Sequence, residues 1–152
     1  MKEIGVIVNS LQEDVNSYNM VNCLNELSKT NRCYLFLLEN TKNKLVTHAN
    51  FSILQAESLF SFKGHLISTS LFNSQCCLNS LCAFKKYLYL NKLEWMYLQS
   101  FNNEQVSNIF LHEEINIISK SSSYSDILTK LFKPTIGTVY NWNPDELLKV
   151  IE

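Results

Sequence analysis

The sequence predicts an α/β protein in which a mostly parallel sheet of about six or seven strands carries helices on both faces. Two patterns indicate this fold: continuous apolar segments recur along the 152 residues, and stretches with helical apolar spacing lie between them. Such segments are typical of strands buried on both faces, and their alternation with helices favours parallel pairing. A closed eight-stranded barrel would need roughly 250 residues. We therefore expect one open, doubly wound, Rossmann-like domain over residues 1–152.

The first half of the chain supplies four predicted strands. EIGVIVNS is a β-branched apolar segment with a polar end, CYLFLLEN is a second apolar run, and FSILQA and GHLISTS are shorter. These strands cover residues 3–10, 33–40, 51–56 and 64–70. A helix over residues 14–29 is predicted between the first two strands, because apolar residues there recur at the spacing of one helix face, at Met20, Val21, Leu24 and Leu27.

The second half predicts further helices and strands in alternation. The longest helix is expected from Phe72 to Leu90, with its apolar face formed by Cys77, Leu81, Phe84 and Leu88. Further helices are expected over 103–114 and 123–132, the latter with a capping box of Ser123 and Asp126, and Pro144 opens a last short helix. Strands are predicted at EWMYLQ, INIIS and TIGTVYN, residues 94–99, 115–119 and 135–141.

Polar residues at the predicted strand ends are the candidate ligand-binding groups. In an open parallel sheet, ligands bind beyond the carboxyl ends of the strands, near the point where strand order reverses. Small hydroxyl and amide residues dominate there, which suits a neutral polar ligand, although strand ends also need polar turn residues for structural reasons alone. The candidates are Asn9, Ser10, Glu57, Ser68, Thr69, Ser70, Ser119, Ser121 and Ser122. Asn40, Gln99, Ser100, Lys120 and Ser123 also fall at predicted strand ends.

Several function classes are disfavoured by motifs that the sequence lacks. The first turn, NSLQEDVNS, has neither the G-x-G-x-x-G pattern nor the P-loop pattern that dinucleotides and ATP require. His48, His65 and His112 have no partner four residues later, so H-E-x-x-H zinc chemistry is not expected and no metal site is predicted. No G-x-S-x-G elbow is present. Asp14 as a phosphoacceptor is disfavoured, because the later strands end in Ser and Asn. No catalytic residue is assigned.

Three groups of residues allow both a functional and a structural interpretation. The serines at 121–123 could bind an anion at a helix start or simply cap the helix. The histidines could act as a base or be structural. Trp95 and Tyr97 lie on one side of a predicted strand, where they could form an aromatic shelf for a sugar or base, or pack in the core.

Composition bears on partners and compartment. The net charge is −1 and Arg32 is the one arginine, so neither nucleic acid nor an anionic membrane is expected as a partner. The five cysteines include no C-x-x-C pair, which favours buried or half-buried free thiols in a reducing compartment. No leader-like segment or transmembrane run is apparent, so we expect a cytoplasmic protein without a transmembrane segment.

The segment NIISKSSSYSDILTKLFKPTIGTVYNWNPDELLKVI resembles the passage between the two domains of GT-B glycosyltransferases. In that family a strand ending in serine is followed by a helix, a short strand and an Asn-Gly-Val-Asp-like turn. Ser119 matches the serine, and Asn141, Trp142 and Asn143 stand at the turn, with Trp142 in place of glycine. The earlier segments are also similar to the amino-terminal half of such enzymes, especially to short glycosyltransferase-like proteins carried by large tailed phages of marine bacteria.

The resemblance implies a glycosyltransferase-like protein that binds a sugar or acceptor at the carboxyl ends of its strands. In the family, the second domain holds the nucleotide-sugar donor, and this sequence ends before that domain would begin. We therefore expect no cofactor on this chain alone, little activity in isolation, and a partner chain that supplies a donor-binding domain, or a homo-oligomer. The alternative is a non-catalytic, phage-associated interaction or structural protein. A phage-encoded protein would reside in the host cytoplasm.

Overall fold

The computed structural model describes residues 1–40, 43–97 and 99–151. Within these residues, seven parallel strands form a single sheet in the order β3-β2-β1-β4-β5-β6-β7. The strands are β1 (Glu3–Val8), β2 (Arg32–Leu37), β3 (Ser52–Gln55), β4 (His65–Ser68), β5 (Lys85–Leu90), β6 (Ile115–Ser119) and β7 (Gly137–Thr138). The predicted fold class, a Rossmann-like parallel α/β sheet, is confirmed.

Five α-helices connect or follow these strands in the described residues. They are α1 (Val15–Leu27), α2 (Leu71–Asn79), α3 (Asn103–Phe110), α4 (Ser122–Leu131) and α5 (Pro144–Val150). Short 3₁₀ segments lie at Ala56–Ser61, Glu94–Met96 and Tyr140–Trp142. In the part of the chain that the structure describes, no helix has the length and apolar character needed to cross a membrane.

The helices cover both faces of the sheet and create two separate cores. On one face, α1 packs against β2, and α5 packs against α1 and β7, with residues such as Met20, Leu24 and Leu147 in one core. On the other face, α2, α3 and α4 contribute Cys77, Phe110 and Leu128 to a second core cluster. Each strand of the sheet centre is therefore buried on both sides, which explains its continuous apolar sequence.

The predicted helix from Phe72 to Leu90 is wrong in its second half. The helix α2 ends at Asn79, and Lys85–Leu90 forms the central strand β5. Leu81 is 87% exposed and Phe84 is 69% exposed, so they do not continue a buried helix face. Tyr87 and Tyr89 are almost fully buried on the same side of this strand, within the first core, a position that favours aromatic residues.

The predicted strand at residues 94–99 is also wrong. Glu94–Met96 is a 3₁₀ segment, and Leu98 lies outside the described residues. Trp95 packs edge-on against Phe110 and Phe132, with ring centroids 4.9 and 5.7 Å away. Tyr97, in contrast, is 78% exposed. The two aromatic side chains therefore do not form a common shelf, and Trp95 serves the second core.

Smaller corrections concern the ends of the last elements. The helix α4 begins at Ser122 and is capped by Ser121, whose Oγ accepts a hydrogen bond from the Tyr124 N–H. The expected capping box of Ser123 and Asp126 is therefore wrong, because both residues lie inside the helix. The strand β7 spans two residues instead of seven. Pro144 opens α5, as predicted.

Candidate functional site

The sheet order creates one topological switch point, between β1 and β4. The chain proceeds from β1 to β2 and β3 on one side, and then returns to place β4 on the opposite side of β1. Both neighbours are parallel to β1: Ile4 is paired with Cys33 on β2 and with His65 on β4. Because the connections leave β1 and β4 in opposite directions, a crevice opens beyond their carboxyl ends.

A cleft of about 500 Å³ occupies this position, within the usual size range of ligand pockets. Its wall comes from the start of α1 and from the segments that follow β4 and β5. The lining residues are Asp14, Val15, Asn16, Thr69, Asn91, Lys92 and Glu94. We refer to this cleft as the switch-point crevice. Six of its seven lining residues are polar or charged.

Asn73, on α2, ties together the two strand ends that border the crevice. Its Oδ1 accepts hydrogen bonds from the backbone N–H groups of Thr69, at 2.9 Å, and Ser70, at 3.1 Å. Its Nδ2 donates to the Ile7 carbonyl at 3.2 Å and to the Asn9 Oδ1 at 3.4 Å. Asn73 is 1% exposed, so the amide acts as a buried link between β1 and β4.

The hydroxyl residues at the end of β4 and just after it have different roles. Ser68 is fully buried and donates to the Tyr87 carbonyl at 2.9 Å, which bonds β4 to β5. Thr69 lines the crevice, and its Oγ1 donates to the Ile7 carbonyl at 2.8 Å. Ser70 caps α2 by accepting from the Asn73 N–H. The structure thus places Thr69 at the crevice and Ser68 in the sheet interior.

The remaining predicted residues are divided between the switch point and the sheet flanks. Asn9 reaches Asn73, while Ser10 accepts a hydrogen bond from Gln12 at 2.6 Å. Glu57 follows β3, two strands from β1, which is about 10 Å at the usual strand spacing. Ser119 ends β6, two strands beyond β4, and Ser121 and Ser122 follow it. The structure therefore brings Asn9, Thr69 and Ser70 together and leaves the serine cluster apart.

The serine cluster after β6 forms its own local bonds. The Oγ of Ser119, a fully buried residue, donates to the Ser121 carbonyl at 3.0 Å. Ser121 caps α4, and Ser122 is an exposed first residue of that helix. These contacts give the cluster a capping role, which was one of its two interpretations.

Both helices that begin at the crevice already carry a carboxylate at their amino-terminal end. The Oδ1 of Asp14 accepts from the Ser17 N–H at 2.7 Å and caps α1. The carboxylate of Glu94 lies beside the backbone N–H of Leu71, the first residue of α2, and this N–H favours its charged form. Burial raises the pKa of Glu94, and the Leu71 N–H and the charge of Lys92 oppose this shift in part. The electropositive ends of α1 and α2 are therefore neutralised from within the chain.

Four polar crevice residues did not figure in the sequence-based prediction of ligand-binding groups. Asn91, Lys92 and Glu94 follow β5, and they were missed because that strand was predicted as helix. Asn16 lies in the first turn of α1, where its Oδ1 accepts from the Trp142 indole N–H at 2.9 Å. No local pattern marks this contact, since the two residues are 126 positions apart.

Histidine and cysteine chemistry lies away from the crevice. His65, at the opposite end of β4, pairs with the Tyr87 hydroxyl at 3.0 Å, and burial lowers its pKa, helped by the charges of Lys2 and Lys85. Burial also raises the pKa of Cys77 to about 12. Across residues 1–40, 43–97 and 99–151, no cluster of three or more His, Cys, Asp or Glu side chains could hold a metal ion.

A larger groove of about 640 Å³ lies between α2 and α3. Phe72 and Phe101 contact each other on its wall, with ring centroids 4.7 Å apart, and Leu81 extends beside them. Because the groove lies against the helices and not at the carboxyl ends of the strands, it is less suited to ligand chemistry than the switch-point crevice.

Comparison of the chain with models of protein families, with curated proteins and with solved structures gives no match. The protein is therefore defined by its own fold and site. It is a Rossmann-like α/β protein with a polar crevice at the switch point between β1 and β4. Two carboxylates, two amides, one hydroxyl and one ammonium group converge there, which is a set of hydrogen-bonding groups suited to a small polar ligand.

Replacing Asn73 with Ala should lower the free energy of unfolding by about 2–4 kcal/mol, because several buried backbone groups lose their partner at once. Chemical denaturation measures the change. Gln75→Ala, on the same helix, is the control, since Gln75 is exposed and bonds only to Asn79 within the described residues. A loss no larger than that of the control would contradict the role of Asn73.

Replacing Glu94 with Gln should make the stability less sensitive to pH. Burial favours protonated Glu94, so its pKa is higher in the folded protein than in the unfolded chain. The wild type therefore loses stability as the pH rises through the folded-state value, and E94Q does not. We expect equal free energies of unfolding below the ordinary carboxyl pKa and a more stable variant at neutral pH.

Chemical denaturation between pH 3 and pH 8 tests this expectation. The matched control is Glu57→Gln, which makes the same change of charge on an exposed residue beyond β3. A variant E94Q that is less stable than the wild type at neutral pH would show that the carboxylate is favourable where it lies, and would contradict the expectation.

Proposed function

We propose that the switch-point crevice binds a neutral, hydroxyl-rich ligand, and that this ligand is the sugar or acceptor of a glycosyltransferase-like protein. The proposal rests on two carboxylates of the chain itself, those of Asp14 and Glu94, which lie at the amino-terminal ends of α1 and α2. Open helix amino-terminal ends are the usual phosphate sites of this architecture. Here those ends are already used, so the crevice is ill suited to a phosphate.

The charges around the crevice favour the same conclusion. A phosphate placed between Asp14 and Glu94 would meet two carboxylates, and among the described lining residues only Lys92 is cationic. Like charges within a few ångströms repel one another strongly where water is partly excluded. A neutral ligand avoids this repulsion and can form hydrogen bonds with the same charged groups.

Sugar hydroxyls match the groups that line the crevice. A hydroxyl both donates and accepts, so it can donate to a carboxylate of Asp14 or Glu94 and accept from Lys92. The side-chain amide of Asn91 offers both a donor and an acceptor, and Asn16 offers its Nδ2 donor, since its Oδ1 accepts from the Trp142 indole. Hydrogen bonds with a charged partner contribute more than neutral ones, about 1.5–3 kcal/mol each, so the carboxylates are the main anchors.

Sugar transfer would need further groups for the donor. The nucleotide diphosphate of a sugar donor would have to be held outside this crevice, by a partner chain or a further domain. The proposal therefore assigns to the crevice the recognition of the sugar or acceptor. Catalysis in such a cleft depends on positioning the acceptor hydroxyl against the donor, which is the contribution this wall would make.

A thermal-shift titration tests the proposal. Glucose, galactose, mannose and N-acetylglucosamine are the neutral probes, and inorganic phosphate and UDP- and GDP-sugars are the anionic ones. We expect at least one neutral sugar to raise the melting temperature, because a ligand at 100 times its Kd stabilises the folded state by about 2.7 kcal/mol. Inorganic phosphate should give no saturable shift.

Two lysine variants test whether the sugar binds in the switch-point crevice. Lys92→Ala should weaken the sugar response about tenfold or more, since it removes a charged hydrogen-bond donor from the crevice. Lys63→Ala is the matched control, because Lys63 is exposed and lies before β4, at the opposite edge of the sheet. Saturable binding of phosphate with no response to any neutral sugar would overturn the proposal.

A second candidate is a non-catalytic interaction protein that assembles with copies of itself. It is favoured by the exposed apolar side chains of Leu81 and Phe84, which protrude from the segment between α2 and β5. Exposed apolar patches often mark interaction surfaces. Sedimentation velocity separates the candidates: a concentration-dependent dimer that Leu81→Ser abolishes supports this one, and a monomer at all concentrations removes it.

A further inference from the structure

A second cleft, of about 310 Å³, lies between α1 and the turn at Tyr140–Trp142. We call it the asparagine cleft, because four of its lining residues are Asn19, Asn22, Asn141 and Asn143. Its volume is at the lower limit of ordinary ligand pockets, which is enough for a small ligand or for one unit of a longer one. It does not belong to the switch-point crevice, with which it shares no lining residue.

The amides of the asparagine cleft are available to a ligand. Within the described residues, the side chains of Asn19, Asn22 and Asn141 form no hydrogen bond. The Oδ1 of Asn143 caps α5 by accepting from Asp145 and Glu146, at 3.0 and 3.1 Å, while its Nδ2 bonds to no described group. Each free amide offers a donor and an acceptor side by side, which matches the hydroxyl groups of a carbohydrate.

An exposed aromatic ring completes the cleft. Tyr140 is 66% exposed, although its backbone is held firmly, since its N–H donates to the Glu146 carboxylate at 2.8 Å. The flat ring offers an apolar face to the C–H groups of a sugar, and its hydroxyl group can bond to water or to the ligand. An exposed ring beside unpaired amides is a recognition surface for a neutral, partly apolar, hydroxyl-rich molecule.

The turn that carries this ring is held in a strained conformation by buried contacts. Asn141 and Trp142 have φ angles of 46° and 59°, in the left-handed region that costs a bulky residue about 1–3 kcal/mol. The indole of Trp142 is 2% exposed and lies 4.2 Å from the Tyr89 ring, measured between centroids. The Tyr89 hydroxyl donates to the Val139 carbonyl at 2.9 Å. The cleft is therefore formed before any ligand arrives.

The charge of the asparagine cleft argues against an ionic ligand. Glu26 is its one charged lining residue within the described chain, and its carboxylate is paired with Lys29 at 2.6 Å. With that charge balanced, the surface is neutral. A neutral saccharide is thus better matched than a phosphate or a cationic peptide.

The two clefts follow one side of α1 and meet at a single hydrogen bond. Asn16 lines the crevice, whereas Asn19, Asn22 and Glu26 line the asparagine cleft, and their spacing of three or four residues places them along one stripe of the helix. The Trp142 indole, on the wall of the second cleft, donates to Asn16 at 2.9 Å. Asn16 and Asn22 are six residues apart, about 9 Å along the helix axis.

We propose that the switch-point crevice and the asparagine cleft form one track for an oligosaccharide, with one sugar unit in the crevice and a further unit against Tyr140. This inference rests on the proposed function, which it deepens by specifying the ligand as a saccharide of at least two units. Tyr140 and Asn22 determine the preference for chain length, and the crevice residues bind the first unit.

The test is a titration of the ¹⁵N-labelled full chain followed by amide NMR spectra. The probes are glucose with maltose and maltotriose, N-acetylglucosamine with chitobiose and chitotriose, and galactose with lactose. In the series that binds, the longer saccharide should shift the amide signals of Asn91 and Lys92 in the crevice and of Asn22 and Asn141 in the cleft. It should also bind about tenfold more tightly than its monosaccharide, which is about 1.4 kcal/mol.

Variants separate the two sites. Tyr140→Ala should abolish the gain with chain length and leave monosaccharide binding unchanged, and Tyr140→Phe, which keeps the ring, should retain most of the gain. Tyr18→Ala is the matched control, because Tyr18 is a half-exposed tyrosine on α1 that lines neither cleft. Asn22→Ala provides a second variant on α1, should the change at Tyr140 disturb the turn.

Each other outcome of the NMR titration contradicts the track, the proposed function or both. Shifts in the crevice alone, with equal affinity for one and more sugar units, would overturn the track and leave the proposed function standing. Shifts in the asparagine cleft alone would overturn both the proposed function and the continuous track. If no saccharide in the three series shifts either set of signals, both proposals fall.

Discussion

The buried amide of Asn73 is the interaction on which the site depends. The pairing of β1 with β4 ends at Ile7 and Ser68, so the strand ladder does not hold the residues that follow it. Asn73 holds them by bonding to the Ile7 carbonyl, the Asn9 side chain and the backbone of Thr69 and Ser70. One side chain thereby holds the end of β1, the end of β4 and the start of α2 in one arrangement, and the crevice wall at Thr69 follows from it.

The second constraint is electrostatic, and it concerns the ends of two helices. In this architecture α1 and α2 direct their amino-terminal N–H groups toward the crevice, which is the arrangement that usually binds phosphate. The chain supplies its own anions at these positions, Asp14 and Glu94, so the N–H groups at the two helix starts already face a carboxylate. In the proposed function, the amides of the crevice and of the neighbouring cleft recognise the ligand, and a neutral saccharide matches them better than a phosphate does.

The sequence predicted the sheet well where apolar runs were continuous and failed where helical and strand patterns coincided. The strands β1, β2, β4 and β6 follow from their β-branched and leucine-rich segments. The strand β5 was missed because Cys77, Leu81, Phe84 and Leu88 repeat at helical spacing by coincidence, and local spacing cannot show that Leu81 and Phe84 are exposed. Because of that error, the strand end in this region was predicted at residues 99–100 and not at Leu90. Asn91, Lys92 and Glu94 were therefore not recognised as residues at a strand end.

Long-range contacts account for the other residues that the sequence did not indicate. Asn73 has local partners in Thr69 and Ser70, but its bonds to Ile7 and Asn9 span 66 and 64 positions. The bond between Trp142 and Asn16 spans 126 positions, and no local pattern marks any of these long-range contacts. The serines, in contrast, were prominent in the sequence, yet Ser68 and Ser119 are buried and bond to the backbone. A hydroxyl at a strand end satisfies either a ligand or the protein itself, and only the folded arrangement separates the two.

Calorimetric titration of one sugar in two charge states tests the central claim most directly. The neutral monosaccharide that binds is compared with its own 1-phosphate, so that the two probes share the ring and differ mainly in charge. The carboxylates of Asp14 and Glu94 predict that the neutral sugar binds more tightly, and that the difference decreases in E94Q. Tighter binding of the sugar phosphate would contradict the account, because it would show that the helix ends at the switch point still accept an anion.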